Sequence, residues 1–267
     1  MIIFFNIIII ILFLFSLQVI SSSLLAVATL VDIMLGMKFQ SGDSETVTTE
    51  EKLASKARTA TVSSAEKMFC VHNFFLEFFK SKSPVIRSAT YSVLTSFIKH
   101  VPHVFSEGNM KTVSAAILGV FQEKDKSCHS SMWDMVLLFL RKFPDCWYNN
   151  NIQKVVLSRF WNFLRHGCYG SQQMSYPALV LFLESVPPTA VGGEQFVLNF
   201  FQNLWAGRNP QQSTTADTLA FFKAFKECFL WGLQNASRCE FMQKLWVVSL
   251  QPVSGSSNCF SRKCFAF

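Results

Sequence analysis

Three prolines at nearly one interval constrain this chain more than any other feature. Pro102, Pro144 and Pro187 stand 42 and 43 residues apart, and the apolar positions of the segments that end in them superpose. Tyr91, Trp133 and Tyr176 coincide, as do Leu94, Val136 and Leu179, then Phe97, Phe139 and Phe182, then Ile98, Leu140 and Leu183. Val101, Phe143 and Val186 come just before the prolines. The first segment, residues 83–102 (SPVIRSATYSVLTSFIKHVP), has the spacing of an amphipathic helix with proline at entry and exit. Pro84 takes the first turn, where a missing N–H has no intrahelical partner to lose. A helical period in the low forties is the signature of HEAT and armadillo arrays. The expected fold is all-α, a HEAT/armadillo-like α-solenoid of about four helical-hairpin repeats.

Each proline-terminated B helix follows an A helix that keeps the same offsets. Leu76, Leu118 and Trp161 align, and so do Phe79, Phe121 and Leu164. The first A helix is expected over residues 63–80, opened by a Ser63 and Glu66 capping pair, with a turn at 81–83. The second repeat has A over 109–122, a charged loop at 123–126 and B over 127–142. The third has A over 152–165, a glycine turn at 166–170 and B over 175–185. A looser fourth unit has A over 194–205, a loop at 207–215 and B over 217–234. The repeats together span 63–238. The tail, 239–267, reads as irregular.

Ahead of the repeats, residues 21–62 are expected to hold a helix at 24–37, the end of a preceding repeat, and then a polar loop over 38–61. Residues 1–20 are nearly pure hydrocarbon. They read either as a transmembrane or signal anchor or as translated non-coding sequence from a faulty gene model. A signal peptide lacks its positive start here, since the first basic side chain is Lys38. No polar-faced capping repeat closes the array, although an exposed terminal face needs one; the chain reads as cut from something longer.

The net charge of +7, from 24 basic and 17 acidic residues, is spread without a block of five like charges. That pattern marks no nucleic-acid arm, and no DNA partner is expected. The eight cysteines include no C-x-x-C pair and mostly sit in apolar helical runs, which fits buried free thiols in a reducing compartment. Cys128 beside His129, and His166 two residues before Cys168, are the close His/Cys pairs. Zinc needs four converging ligands, usually two spaced pairs, so these read as turn and core residues. Cys259 and Cys264 lack further ligands. The run Gly167-Cys168-Tyr169-Gly170-Ser171 looks like a nucleophile turn but joins two helices, and turn glycines explain it better. Asn235-Ala236-Ser237 is a formal glycosylation sequon. No phosphate-binding loop, nucleophile elbow or zinc-protease motif occurs. No catalytic, cofactor-binding or metal-binding residue is assigned.

Whole segments carry a further signal: SPVIRSATYSVLTSFIKHVPHVF, CHSSMWDMVLLFLRKFP, FLRHGCYGS, SYPALVLFLE and ECFLWGLQNAS. In this order they resemble the N-terminal HEAT-like region of the listerin family of RING-type E3 ubiquitin ligases, over about residues 24–238. The flanks, 1–20 and the tail after about Arg238, fit nothing in that family. The resemblance implies a cytosolic role in ribosome-associated quality control. Family members bind a 60S ribosomal subunit that still holds a stalled peptidyl-tRNA, together with a nascent-chain-capping partner. Their C-terminal RING, which binds zinc, recruits an E2 enzyme. No Cys/His series with RING spacing occurs in this chain, so neither zinc nor an E2 is expected to bind it. What remains is a docking scaffold, whose solvent side on the first B helix would present Lys82, Arg87 and Lys99. A membrane-anchored adaptor using residues 2–20 is the alternative.

Overall fold

A computed structural model describes residues 17–36, 49–72, 75–148, 150–209 and 211–235. The described residues are helical, without strands, and comprise eleven α-helices and several single 3-10 turns. In chain order the helices are α1 (Leu17–Gly36), α2 (Thr49–His72), α3 (Phe75–Phe78), α4 (Pro84–His100), α5 (Glu107–Leu118) and α6 (His129–Lys142). They continue with α7 (Asn150–Arg165), α8 (Gln172–Glu184), α9 (Pro188–Val191), α10 (Glu194–Ala206) and α11 (Thr215–Asn235). The chain divides into two compact units, Met1–Leu157 and Ser158–Phe267, with the boundary inside α7. Within each unit the helices stack hairpin on hairpin, as an α-solenoid requires.

In the first unit the B helices form a row in which α4 packs on α1 and on α6. The repeat positions explain why. Tyr91, Leu94, Phe97 and Ile98 of α4 are buried, and so are Trp133, Val136, Phe139 and Leu140 of α6. The corresponding Tyr176, Leu179, Phe182 and Leu183 of α8 are buried in the second unit, where α8 packs on α11. Each apolar stripe lies at i, i+3, i+6 and i+7, which places it along one side of a helix.

The prolines act as the sequence implies. Val101 and Phe143 leave the helix with nearly the same backbone, φ −131° for both, and each N–H returns to a carbonyl four residues back, Phe97 and Phe139. A residue before proline is pushed out of the α region, so the helix ends there. Pro102 and Pro144 each then open a short 3-10 turn, Pro102–Val104 and Pro144–Tyr148. The third case differs: Pro187 caps α9, a single turn that Gly192 closes in the left-handed region, φ 111°.

The observed A-type helices include α5 (Glu107–Leu118), running on into a 3-10 turn to Gln122, α7 and α10. The region before α4 departs from expectation. Residues 49–61 form the first half of α2 rather than a polar loop, and Ser63 lies mid-helix instead of capping it. The stretch TEEKLASKARTA is rich in good helix formers, and Glu50 and Glu51 sit favourably in the first turn. Polarity marks its exposure and not its conformation. The A helix expected as one run over 63–80 instead comprises the end of α2 and the short α3. Phe69 joins these pieces to α4, with ring centroids 5.9 Å from Phe75 and 6.4 Å from Phe97.

Helix α1 starts earlier than the expected 24–37. It is long and apolar enough to cross a membrane by length and composition, with a mean hydropathy of 2.0 over its best window. It nonetheless presents Leu24, Val27, Ala28 and Val31 to the interior, fully or nearly fully buried, and packs on α4. The core helix of a packed domain passes the same hydropathy test. Residues 1–16, 37–48 and 236–267 lie outside the described residues, and with them the rest of the apolar start, Cys259, Cys264 and most of the sequon.

Candidate functional site

A dense polar cluster in the first unit sits where the A helix of one repeat meets the B helix of the one before. Arg87, in the first turn of α4, forks onto Glu123, the residue that ends the α5 hairpin arm. Nε donates to Oε2 at 2.6 Å and Nη2 to Oε1 at 2.8 Å. The third guanidinium nitrogen, Nη1, donates to the Ser81 carbonyl at 2.7 Å. Tyr91, one turn along α4, donates its hydroxyl to Glu123 Oε2 at 3.1 Å, and the Asp125 N–H donates to Oε1 at 3.0 Å. The Glu123 carbonyl accepts from His129 Nε2 at 3.0 Å.

Glu123 is 6% exposed, so its charge needs this set of donors. Burial pushes the Glu123 carboxyl upward, but the Arg87 fork, the Asp125 N–H and the Tyr91 hydroxyl outweigh it and hold the group below its ordinary 4.5. The Arg87 guanidinium is held firmly protonated by the same pair. Tyr91 is pushed well up, first by burial and then by the neighbouring carboxylate. Arg87 was expected on the solvent side with Lys82 and Lys99. It is instead a half-buried part of this junction. Lys82 is exposed, and Lys99 is mostly exposed, 3.8 Å from Asp32.

Asp32, Ser96 and His100 lie together between α1 and α4, and by residue type they suggest a hydrolytic triad. The geometry excludes that use. The Ser96 hydroxyl donates to Asp32 Oδ2 at 2.9 Å, and His100 Nε2 lies 2.9 Å from Asp32 Oδ1. The carboxylate therefore stands between serine and imidazole, whereas a nucleophilic serine needs the imidazole next to it. The cluster clamps two helices. His103 makes a similar but exposed contact with Glu66 at 2.7 Å, tying the end of α4's turn to α2.

The His/Cys pairs are structural. Cys128 is buried and its thiol donates to the Pro84 carbonyl at 3.2 Å, closing the start of α4. His129 is buried as neutral imidazole, its pKa lowered by burial. His166 Nδ1 donates to the Asn162 carbonyl at 2.8 Å. Burial pushes the thiols up, to about 11 for Cys128 and about 12 for Cys146 and Cys228, and Cys168 also rises. Almost no thiolate is present at neutral pH, so these are packing residues and not nucleophiles. Among the described residues no three His, Cys, Asp or Glu side chains gather as metal ligands.

The glycine run is a turn, of an uncommon kind. Gly167, Cys168, Tyr169 and Gly170 all have left-handed backbones, with φ of 59°, 51°, 49° and 88°. Cys168 is fully buried, while the Tyr169 ring stacks on His166 at 5.5 Å and its hydroxyl accepts from Asn162 at 3.1 Å. The hairpin α7–α8 reverses on this turn. Gly207, at the end of α10, comes so close that an added Cβ would strike the Leu164 carbonyl oxygen.

Just beyond Gly207 is the second cluster of interest, in the second unit. The Arg208 guanidinium lies over Trp205 at 4.8 Å, with Phe222 at 5.4 Å and Phe221 at 5.6 Å from its central carbon. Trp205 meets Phe221 and Phe225 edge-on at 5.9 Å and 5.8 Å. Sequence reasoning found neither cluster, because Arg87 and Glu123 are 36 residues apart and nothing local links them. A signal did exist in the repeat: Arg208 follows Tyr176 by 32 residues, as Glu123 follows Tyr91.

Comparison with known proteins fits the helical architecture. Residues 16–186 match the family described as E3 ubiquitin-protein ligase listerin, N-terminal domain. The chain is 28% identical over 183 residues to the E3 ubiquitin-protein ligase listerin of Mus musculus, covering 67% of this chain and 10% of that protein. It is 27% identical over 191 residues to the Xenopus tropicalis listerin, covering 68% of this chain and 11% of that one. The chain thus spans about a tenth of the length of these curated relatives. No solved structure matches it. The family span begins at residue 16, five residues ahead of the boundary expected at 21. It stops before Pro187, so the resemblance expected for 187–238, including ECFLWGLQNAS, lies outside it. With well over half of its length in that match, this chain belongs to the listerin N-terminal domain family.

Proposed function

We propose that the chain is the non-catalytic docking segment of an E3 ubiquitin ligase of the listerin type, acting in the cytosol in ribosome-associated quality control. Its partners on this reading are the 60S ribosomal subunit and the factors that accompany a stalled nascent chain. The observation that carries the reading is the family match over residues 16–186, which coincides with the packed helices from α1 to α8. The chemistry supports a scaffold. The described nucleophiles and acids in its clusters are spent on holding helices together: Ser96 and His100 on Asp32, Glu123 on Arg87, Cys128 on Pro84. Zinc and the E2 belong, on this reading, to the RING of the whole ligase.

The test is sedimentation of the purified chain with isolated 60S and 40S subunits at low and physiological salt. Co-pelleting with 60S in preference to 40S is expected. Absence of 60S binding even at low salt would defeat the proposal. A second reading, a membrane-anchored adaptor held by residues 2–20, has the apolar character of α1 in its favour. Its opposite is expected from α1's burial against α4: carbonate extraction should release the protein from membranes, and retention in the pellet would favour the anchor.

A further inference from the structure

One polar pattern recurs beside the packing repeat of the first unit. Lys80-Ser81-Lys82-Ser83 leads into α4, and Lys124-Asp125-Lys126-Ser127 leads into α6. All four lysines are exposed, and among the described residues none of their ammonium groups is paired. In the sequence the two runs stand 44 residues apart, each too short to mark a basic arm.

The fold makes them neighbours. Arg87 donates from Nη1 to the Ser81 and Lys82 carbonyls at 2.7 Å and 3.2 Å, while its fork holds Glu123, the residue before Lys124. Cys128, just past the second run, donates its thiol to the carbonyl of Pro84, just past the first, at 3.2 Å. The junction therefore clamps both lysine runs onto one edge of the helix stack.

That edge has little acid to spare. Glu123 is spent on Arg87, and Asp125 accepts from the Ser127 N–H and hydroxyl at 3.0 Å and 2.7 Å. Glu77, on α3, is the exposed acid ahead of the first run. Helices α4 and α6 both begin here, since Ser88 and Ser131, early in each, meet at 2.9 Å. Neither has an acid in its first turn or a side-chain cap, so their open N–H ends add partial positive charge to that of the lysines. At the other end of α4 the balance differs, because Asp32 faces Lys99 and His100.

We propose that this edge, with Lys80, Lys82, Lys124 and Lys126, binds the phosphate backbone of RNA. Phosphates repeat along a strand as single charges, and lysines at alternate positions of two adjoining turns answer them as single charges. Carboxylates are matched best by arginine forks, and Arg87, the arginine at this edge, is already closed on Glu123. Ser81, Ser83 and Ser127, interleaved with the lysines, are small and hydroxylic, as suits contact with phosphate. The edge lies within the family span. It deepens the docking reading, on which it rests for the source of the RNA, and is then the face turned toward ribosomal RNA.

The experiment titrates the whole chain into a fluorescent RNA hairpin, with polyglutamate as the second probe. Between about 50 and 200 mM salt the affinity should fall with a log–log slope of about 3 in magnitude, as for about four neutralised phosphates. Changing all four lysines to alanine should weaken binding at least about tenfold and remove most of that slope. Lys99→Ala with Lys142→Ala, at the far ends of the same two helices, should leave both nearly unchanged. A slope near zero overturns the proposal, and so does an equal loss in the far-end variant. Polyglutamate that binds as tightly as the hairpin at equal charge also overturns it and assigns the edge to an acidic protein. The slope and the polyglutamate comparison are read on the unaltered chain and stand whatever a substitution does to folding. Sedimentation separates this surface from the docking reading. Hairpin binding without 60S co-pelleting keeps the surface and defeats that reading, whereas undiminished 60S co-pelleting of the four-lysine variant keeps the reading and overturns the surface.

Discussion

Two junctions built from one repeat position have reached opposite solutions. Between α4 and α6, the loop residue after the A helix is an acid, and it is satisfied by an arginine, a tyrosine and a backbone N–H. Between α8 and α11, the corresponding residue is an arginine, and it is surrounded by aromatic rings instead of acceptors. Around both, the packing is alike: a serine pair, Ser88 with Ser131 at 2.9 Å, and the Gln173 to Asp217 contact stitch the B helices together at matching places. The apolar repeat is thus the part that makes the fold, and the polar position at the hairpin end is free to vary. One junction uses it for stability. The other leaves it unspent.

The sharpest way to test that division is to remove the part the junctions share. Phe97→Ala, Phe139→Ala and Phe182→Ala each delete a fully buried ring at the same repeat position. Each should destabilise its own unit by about 3–5 kcal/mol in urea unfolding. A much smaller loss at Phe182 alone would break the equivalence. The junction residues come next. Glu123→Ala leaves the Arg87 guanidinium half-buried without its acid and should lose about 2–3 kcal/mol. Arg87→Met with Glu123→Leu should recover part of that loss, since removing both charges removes the desolvation penalty as well. Arg208→Met, by contrast, should be close to neutral or stabilising, because no internal pair is broken.

The pH dependence separates the junctions further. Glu123 has a lower pKa folded than unfolded, so its contribution is complete above about 4.5 and is lost as pH falls through the lower folded value. His129 is likewise depressed, so its contribution begins to fade below its ordinary 6.5. Melting temperature should therefore fall on the acid side, and Glu123→Gln should flatten the part below about pH 4.5 while leaving the His129 part. A curve with an unchanged acid limb would show that Glu123 is not held as an anion. The smallest effect expected is at the surface. Lys99→Ala, removing an exposed contact 3.8 Å from Asp32, should change stability by less than about 1 kcal/mol.

The B helices were legible in the sequence because proline punctuates them and packing repeats them. Pro84, Pro102 and Pro144 fix backbone geometry covalently, and Phe97, Phe139 and Phe182 must be buried wherever the helices stack. The start of α2 was not legible in the same way. Its polar face has no repeat to align with, and TEEKLASKARTA differs from a loop in helix propensity rather than in hydrophobic pattern. Arg87 looked like a solvent residue because a helix wheel shows which side faces the neighbouring helix and not what a loop 36 residues away brings over it. The Arg208 site was half visible. The repeat placed it opposite a tyrosine, but only the packed structure shows that its buried Nε–H has no acceptor.

The left-handed turn at Gly167–Gly170 has a consequence for how this hairpin opens. Cys168 and Tyr169 hold a backbone conformation that costs an L-residue about 1–2 kcal/mol each. The buried Cys168 and the Tyr169 stack on His166 must hold it there. Such a link is stable only while its side chains stay seated. In a hydrogen-exchange experiment, the α7–α8 reversal should therefore lose protection as one block with the ends of its two helices, and Tyr169→Gly should change the rate of that opening without changing where the hairpin turns.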